Sequence, residues 1–159
     1  MPEHIAQYLV SILNAASIFG RTLPGHAADK LGRFTVFLSM SVLSAVITLA
    51  LWLPASGTGA VVTFALIFGF SSGSIVSLAP TLIAQISDVR QIGVRTGTMF
   101  SLVALAVLVG SPIGGQLVIS DNGGYRKMQA FSGALMAGGA LMYAALRVRV
   151  GGWSLTKKV

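Results

Sequence analysis

Five long apolar runs, separated by short polar connections, dominate the sequence. The runs lie at residues 5–24, 34–54, 60–86, 98–119 and 128–146. Each is close to the ~20 residues that an α-helix needs to cross ~30 Å of hydrocarbon. The runs lack the polar alternation of barrel strands, and helices are then the only elements that satisfy every backbone hydrogen bond in lipid. The pattern predicts an all-α membrane protein with about five transmembrane helices, forming one domain over residues 1–159.

The composition agrees with a membrane location. Hydrophobic residues make up 54% of the chain and charged residues 9%, whereas soluble domains carry about 25% charged residues. A buried helical core in a soluble protein would need a solvated face, which these runs lack. We therefore expect the lipid bilayer to be the main partner. Because Met1–Gln7 contains no Lys or Arg, no signal peptide is predicted.

The basic residues lie mainly on one predicted side of the membrane. Eight of the eleven Lys and Arg residues fall on that side: Lys30, Arg33, Arg90, Arg95, Arg147, Arg149, Lys157 and Lys158. Arg126 and Lys127 fall on the other side, and Arg21 lies inside the first run. By the positive-inside rule the larger group faces the cytoplasm, with the N-terminus outside, and we expect the plasma membrane. The net charge of +7 thus reflects membrane orientation, and no nucleic-acid partner is expected.

Motifs for catalysis are absent from the sequence. There is no cysteine for a thiolate nucleophile or a Cys-type zinc site, and there is no G-x-S-x-G, H-E-x-x-H or phosphate-binding loop. His4 and His26 have no second metal ligand at helical spacing. We expect a protein that is not an enzyme and that uses no metal or cofactor.

A charged segment with two glycines connects the first run to the second. Gly25 would let a neighbouring helix approach, and Gly32 permits a tight turn. Asp29 can accept hydrogen bonds from the free N–H groups of a helix start. Lys30 and Arg33 would hold the segment at the anionic leaflet. The sequence therefore predicts a short inter-helix turn at the cytoplasmic surface.

The spacing G-x-x-x-D-K-x-G-R between two transmembrane runs resembles the signature loop of the major facilitator superfamily, which follows the second and, in degenerate form, the eighth helix. Residues 14–25, 80–93 and 95–115 are similar to helices eight, ten and eleven of its fungal, monocarboxylate-porter-like branch. The resemblance implies that the runs are helices eight to twelve, a partial C-terminal half of the fold. It also implies that the acid of the loop braces a cytoplasmic gate, with Asp29 paired to a helix-start amide or to one of three arginines: Arg33, Arg90 or Arg95.

The resemblance implies transport of a small organic anion or metabolite, either a monocarboxylate-like substrate or an exported secondary metabolite. A facilitator has two six-helix halves with the substrate path between them, and this sequence matches neither the first half nor the seventh helix. We expect it to work with a missing N-terminal half or with another membrane polypeptide. The alternative is a truncated, non-transporting membrane protein that acts only as a packing or regulatory partner.

Three polar residues of the first run form the candidate substrate site. Asn14, Ser17 and Arg21 are spaced by three and four residues and share one helix face, where contact of a charge with lipid is costly. In monocarboxylate porters a proton-carrying Asp precedes this Arg by four residues, and the Arg holds the substrate carboxylate. Ser17 stands at the Asp position, so the resemblance favours anion binding and puts proton coupling through this pair in doubt. Alternatively, Arg21 snorkels to the surface or binds a backbone carbonyl.

Small residues predict where helices pack. The G-x-x-x-G spacings Gly69–Gly73 and Gly110–Gly114 lie inside runs and favour close helix contacts. Pro112 removes one backbone donor and is expected to kink its helix. A group of serines in the third run lines a polar seam of the pathway or packs against helix backbones, and the sequence leaves both open: Ser71, Ser72, Ser74 and Ser77.

Overall fold

Five α-helices make up the described part of the fold. The computed structural model of the chain describes residues 3–55 and 57–151. The helices are α1 (Glu3–Leu31), α2 (Arg33–Ile47), α3 (Thr58–Gln85), α4 (Ile92–Ser120) and α5 (Arg126–Gly151). No strand occurs among the described residues, so the predicted all-α fold with five helices is confirmed. Two basic residues of the predicted cytoplasmic group, Lys157 and Lys158, lie outside the described residues.

Within the described residues, four segments are long and apolar enough to cross a membrane: Arg33–Trp52, which adds a π-helical turn to α2, Thr58–Gln85, Val89–Ser120 and Arg126–Arg149. The first helix is not among them, because Asn14 and Arg21 interrupt its apolar run and lower its mean hydropathy. It nevertheless packs along α3, from Leu13 to Arg21. It therefore runs beside a helix that can span the bilayer.

The first inter-helix turn is shorter than the sequence predicts. α1 continues through Pro24 to Leu31, and α2 begins at Arg33. The stretch between the first two apolar runs is therefore mostly helical, since Gly32 alone separates the two helices. Gly32 makes the reversal at a φ of 93°, a backbone conformation that glycine adopts without a steric penalty.

The closest and most extensive helix contact in the described structure joins α1 and α3. A Cβ atom added at Gly20, Gly69 or Gly73 would meet the backbone of the opposite helix. At Gly73 it would lie 2.6 Å from the carbonyl oxygen of Ser17. The prediction that Gly69 and Gly73 permit close packing is confirmed, because only hydrogen in place of a side chain lets the two backbones approach so far.

A hydroxyl group from α3 replaces the hydrogen bond that Pro24 removes from α1. Proline has no N–H, so the carbonyl of Gly20 one turn earlier lacks its helical donor. Ser74, which is fully buried, donates from Oγ to that oxygen at 2.8 Å. Ser71 is also fully buried, and it accepts a hydrogen bond from the Ser44 hydroxyl at 2.9 Å. Ser71 and Ser74 therefore pack against neighbouring helices and do not line a pathway in this structure.

Contacts between α2 and α5 close one end of the bundle. Arg147, which the sequence places on the cytoplasmic side just after the fifth apolar run, lies inside α5 and is 7% exposed. Its Nη2 donates to Thr35 Oγ1 at 2.8 Å, and one turn earlier the Tyr143 ring lies against Phe34 and Phe37. The helix continues past the apolar run, and Arg147 can be buried because the aliphatic stem of an arginine packs while its head group stays hydrogen-bonded. The start of α2 and the end of α5 thus meet.

The fourth helix stands apart from the others. None of its residues is buried in the described structure, although it is strongly apolar. No described atom lies within 4 Å of a Cβ added at Gly110 or Gly114, so the described helices do not make the packing contact predicted for this pair. α4 continues through Pro112, and a kink there stays a prediction.

Candidate substrate and gate sites

Arg21 lies near the middle of α1. The helix ends at Leu31, ten residues later, which at 1.5 Å per residue puts Arg21 about 15 Å from that end. Arg21 is exposed, and so is Asn14, which lies two turns earlier in the helix. Both therefore lie on a surface that the described helices leave uncovered. In a membrane, that surface needs a polar neighbour.

Ser17 does not share this exposure. It is 7% exposed, and its backbone lies against Gly73 of α3. Its hydroxyl donates to the carbonyl oxygen of Asn14 at 2.9 Å, which keeps the hydrogen bond within α1. The structure therefore brings Asn14 and Arg21 together on an open face, and it places Ser17 at the edge of the α1–α3 contact.

The neighbouring surface of α3 carries two hydroxyl groups, and one of them contacts the backbone of Arg21. Ser77 Oγ donates to the carbonyl oxygen of Arg21 at 3.4 Å. Thr81, one turn further along α3, is exposed and donates to Leu78 O at 2.7 Å. Thr81 was not among the predicted site residues, although its spacing of four from Ser77 puts both residues on one face of the helix. The open face is thus polar on two helices.

The expected ion pair at the first turn is present. Asp29 Oδ1 lies 3.6 Å from Arg33 Nη2 across Gly32, and both side chains are exposed. Asp29 belongs to the last turns of α1, and α2 has no side-chain cap. Lys30 is exposed beside the pair. Around Gly25 the described structure leaves open space, so none of the described helices is the neighbour that this glycine was predicted to admit.

The second predicted cytoplasmic connection makes its own contacts. Asp88 accepts a hydrogen bond from the Arg90 amide at 3.3 Å and caps a short 3₁₀ turn, Val89–Gln91. Arg95 donates to Gln91 Oε1 at 2.9 Å and to Ile86 O at 3.3 Å. In the described part of the chain the salt bridge of Asp29 is therefore to Arg33 and not to this connection. Among those same residues, no group of three metal-ligating side chains comes together.

Comparison with known proteins shows which family this chain is similar to. The family model described as Major Facilitator Superfamily matches residues 1–157. Two fungal relatives match all of the chain: MFS-type transporter opdF of Penicillium oxalicum, 50% identical, and MFS-type transporter 1 of an Ophiocordyceps species, 48% identical. The agnestins efflux protein AgnL12 of Paecilomyces divaricatus is 37% identical over 94% of the chain. The match covers 38%, 35% and 34% of these relatives, respectively. No solved structure matched.

Proposed function

Because the chain belongs to the major facilitator superfamily and is an integral membrane protein, we propose that it works as the C-terminal part of a transporter for a small organic anion or metabolite. Export is the favoured direction, since relatives such as AgnL12 are named as efflux proteins. We assign the five helices to positions eight to twelve of the transporter. We also assign the N-terminus to the outside and the C-terminus to the cytoplasm, in the plasma membrane, from the distribution of basic residues.

One observation carries this proposal: Arg21 is exposed near the middle of α1, away from the covered side of the bundle. A permanently charged guanidinium at this depth is costly against lipid. A water-filled path between two halves of a transporter removes that cost. The planar guanidinium also matches a carboxylate, which it can bind through two parallel hydrogen bonds. Asn14 and Ser77 would add uncharged hydrogen-bonding groups to the same surface.

The gate proposal rests on the turn between α1 and α2. The Asp29–Arg33 pair joins the end of α1 to the start of α2, and we propose that it braces the cytoplasmic end of the path together with Gly25, Lys30 and Gly32. Exposed ion pairs contribute only about 0–1 kcal/mol to stability. Such a pair can therefore form and break during a transport cycle without unfolding either helix. Pro112, flanked by Gly110 and Gly114, would let α4 bend in the same cycle.

Transport by a chimera tests the proposed function. Residues 1–159 replace the matching segment of the Ophiocordyceps transporter, which aligns over 159 residues, and the purified chimera is placed in liposomes. The substrates are a radiolabelled aromatic monocarboxylate and its neutral amide. We expect carboxylate transport that falls at least about tenfold in Arg21→Ala, because one charge-assisted hydrogen-bonded contact is worth about 1.5–3 kcal/mol. Arg21→Lys should retain part of the activity, since its charge remains without the planar fork.

Matched controls separate a substrate contact from general damage. Arg90→Ala removes an exposed arginine in the connection before α4, and transport should stay unchanged. If Arg21→Ala and Arg21→Lys both transport the carboxylate at the parental rate, Arg21 is scaffolding. If the chimera is folded and transports neither probe while the intact Ophiocordyceps protein transports the carboxylate, the non-transporting alternative is favoured. Uptake by residues 1–159 alone would argue against the need for a second half.

A further inference from the structure

A polar cavity lies where the segment after the π-helical turn meets the start of α5. It has a volume of about 370 Å³, and its polar lining residues, next to residues 53–55, are Tyr125, Arg126 and Gln129. Arg126 is exposed, and its side chain forms no hydrogen bond or ion pair with any residue that the structure describes. The adjacent Lys127, in contrast, lies 3.9 Å from Asp121 Oδ1. Of these two basic residues, Arg126 is therefore the one whose charge is available to an anion.

An apolar cavity of about 260 Å³ lies further along the same pair of helices, α2 and α5. All of its lining residues are apolar, and they include Val42, Val46, Leu49, Ala137, Ala140 and Ala144. Leu49 also lies against Gly133, where an added Cβ atom would overlap the leucine side chain. Because glycine has no side chain, the two helices pack closely at this level, and the two cavities follow each other along their line of contact.

The two cavities lie on one face of α5. Arg126 and Gln129 precede Ala137 and Ala140 by eleven residues each, which is three helical turns. Eleven residues at 1.5 Å per residue span about 16 Å, close to half of the ~30 Å hydrocarbon thickness. With Arg126 at the membrane surface, the apolar cavity therefore lies about one leaflet deep. An extended chain that joins the two cavities passes over Leu49, which is exposed.

The groove faces away from α3. Ser44 of α2 donates a hydrogen bond to Ser71 of α3, and Val42 and Val46 each lie two residues from Ser44, about 200° around the helix from it. These two valines are 44% and 53% exposed, so the described helices leave this side of α2 open. A cavity of this volume suits one extended acyl chain better than a helix, which is about 10–12 Å across with its side chains.

We propose that this groove binds one phospholipid, with the phosphodiester at Arg126 and one acyl chain in the apolar cavity. The planar guanidinium matches two phosphate oxygens through parallel hydrogen bonds, and tyrosines such as Tyr125 are enriched at the level of the headgroups. A polar cavity at the surface, followed at leaflet depth by an apolar one, has the order of groups in a phospholipid. The inference goes beyond the proposed function and holds with or without transport. Only the assignment to the outer leaflet rests on the proposed orientation.

Photolabelling with a lipid probe tests the site. The detergent-purified chain is incubated with a phosphatidylglycerol that carries a diazirine at the end of one acyl chain, the sample is irradiated, and the labelled peptides are identified by mass spectrometry. We expect the label mainly on residues 42–49 and 137–144. Excess unlabelled dioleoylphosphatidylglycerol should remove most of the label. Dioleoylglycerol, which has the same chains without the phosphate, and glycerol 3-phosphate, which has the phosphate without the chains, should not.

Variants separate the headgroup contact from the chain contact. Arg126→Ala should lower the labelling at least about fivefold, because a charge-assisted hydrogen-bonded contact is lost, and Arg126→Lys should retain part of it. Arg90→Ala, the control, removes an exposed arginine of the connection before α4 and should leave the labelling unchanged. Val46→Trp fills the apolar cavity and should reduce the labelling, whereas Val103→Trp, at a residue of α4 that is 48% exposed, should not. Circular dichroism checks that each variant is folded.

Four outcomes would overturn the proposal. Unchanged labelling in Arg126→Ala, or competition by dioleoylglycerol as strong as that by phosphatidylglycerol, would refute the phosphate contact. Competition by glycerol 3-phosphate would indicate a site for free phosphate. Label spread evenly over the helices would show that lipid binds without a site. Loss of the labelling in the chimera with the Ophiocordyceps transporter would show that protein covers the groove. Transport enters none of these outcomes, so failure of the lipid site is distinguishable from failure of the proposed function.

Discussion

Replacing Gly20 by alanine should separate α1 from α3. The added Cβ would overlap the carbonyl oxygen of Phe70, a backbone atom that cannot rotate away. The matched control is Gly110→Ala in α4, where no described atom lies within 4 Å of the new Cβ. Both changes add the same methyl group to the interior of a helix, and they differ only in what surrounds it.

The expected magnitudes follow from three contributions. Alanine favours a helix over glycine by about 1 kcal/mol, and at Gly110 this is the whole effect. At Gly20 the overlap costs about 1–3 kcal/mol, as overpacking does in well-packed interiors. The separation of the helices also weakens the Ser74–Gly20 hydrogen bond, worth about 1 kcal/mol. Gly20→Ala should therefore lower the free energy of unfolding by about 1–3 kcal/mol, whereas Gly110→Ala raises it slightly.

The measurement is equilibrium unfolding of the detergent-solubilised chain by sodium dodecyl sulfate, with helix content followed by circular dichroism. A difference of 1.4 kcal/mol between the variants corresponds to a tenfold change in the unfolding equilibrium, which the assay resolves. Equal effects of Gly20→Ala and Gly110→Ala would refute the reasoning. So would a larger loss in Gly110→Ala, because it would mean that α4 and not α1 makes the tight contact.

Two further predictions concern single interactions. Ser74→Ala should lower the free energy of unfolding by about 1 kcal/mol, since it leaves the Gly20 carbonyl without a donor. In a Pro24→Ala background the restored N–H should make this loss smaller. A double-mutant cycle that shows no coupling would contradict the idea that the Ser74 hydroxyl replaces the bond that Pro24 removes. Asp29→Asn should change the free energy of unfolding by less than about 1 kcal/mol, because the ion pair with Arg33 is exposed. Carboxylate transport by the chimera should nevertheless fall. Unaltered transport would show that Asp29 is not part of the gate.

The sequence predicts the helices well because their cause is local. A backbone in hydrocarbon must satisfy its own hydrogen bonds wherever the chain is apolar for about twenty residues. The differences between the predicted runs and the observed helices lie at the helix ends. The first apolar run ends at Pro24, yet α1 passes through it, since the hydroxyl of Ser74 supplies the missing donor from a residue fifty positions away. Arg147 lies beyond the fifth apolar run, yet α5 continues through it, and its guanidinium donates a hydrogen bond to Thr35, a residue 112 positions away in the sequence.

The candidate site was predicted only in part. Asn14 and Arg21 share an exposed face, as their spacing indicates, but Ser17 is buried. Helical spacing places residues on one side of a helix within about a third of the circumference, and a neighbouring helix can cover one edge of that arc. The expected Asp29–Arg33 pair is present because the two residues flank the one-residue turn at Gly32 and therefore meet without help from distant parts of the chain.

The two G-x-x-x-G spacings separate what the sequence alone determined from what the tertiary structure decided. The sequence alone was enough to identify a helical membrane protein of a known transporter family. The features that identify it are the lengths of the apolar runs, the uneven distribution of basic residues and the residues of the first turn. They did not decide that Gly69 and Gly73 meet the backbone of α1 while Gly110 and Gly114 meet none of the described helices. The same pattern has opposite outcomes because glycine only permits close approach. The partner that makes use of it is chosen by the path of the whole chain.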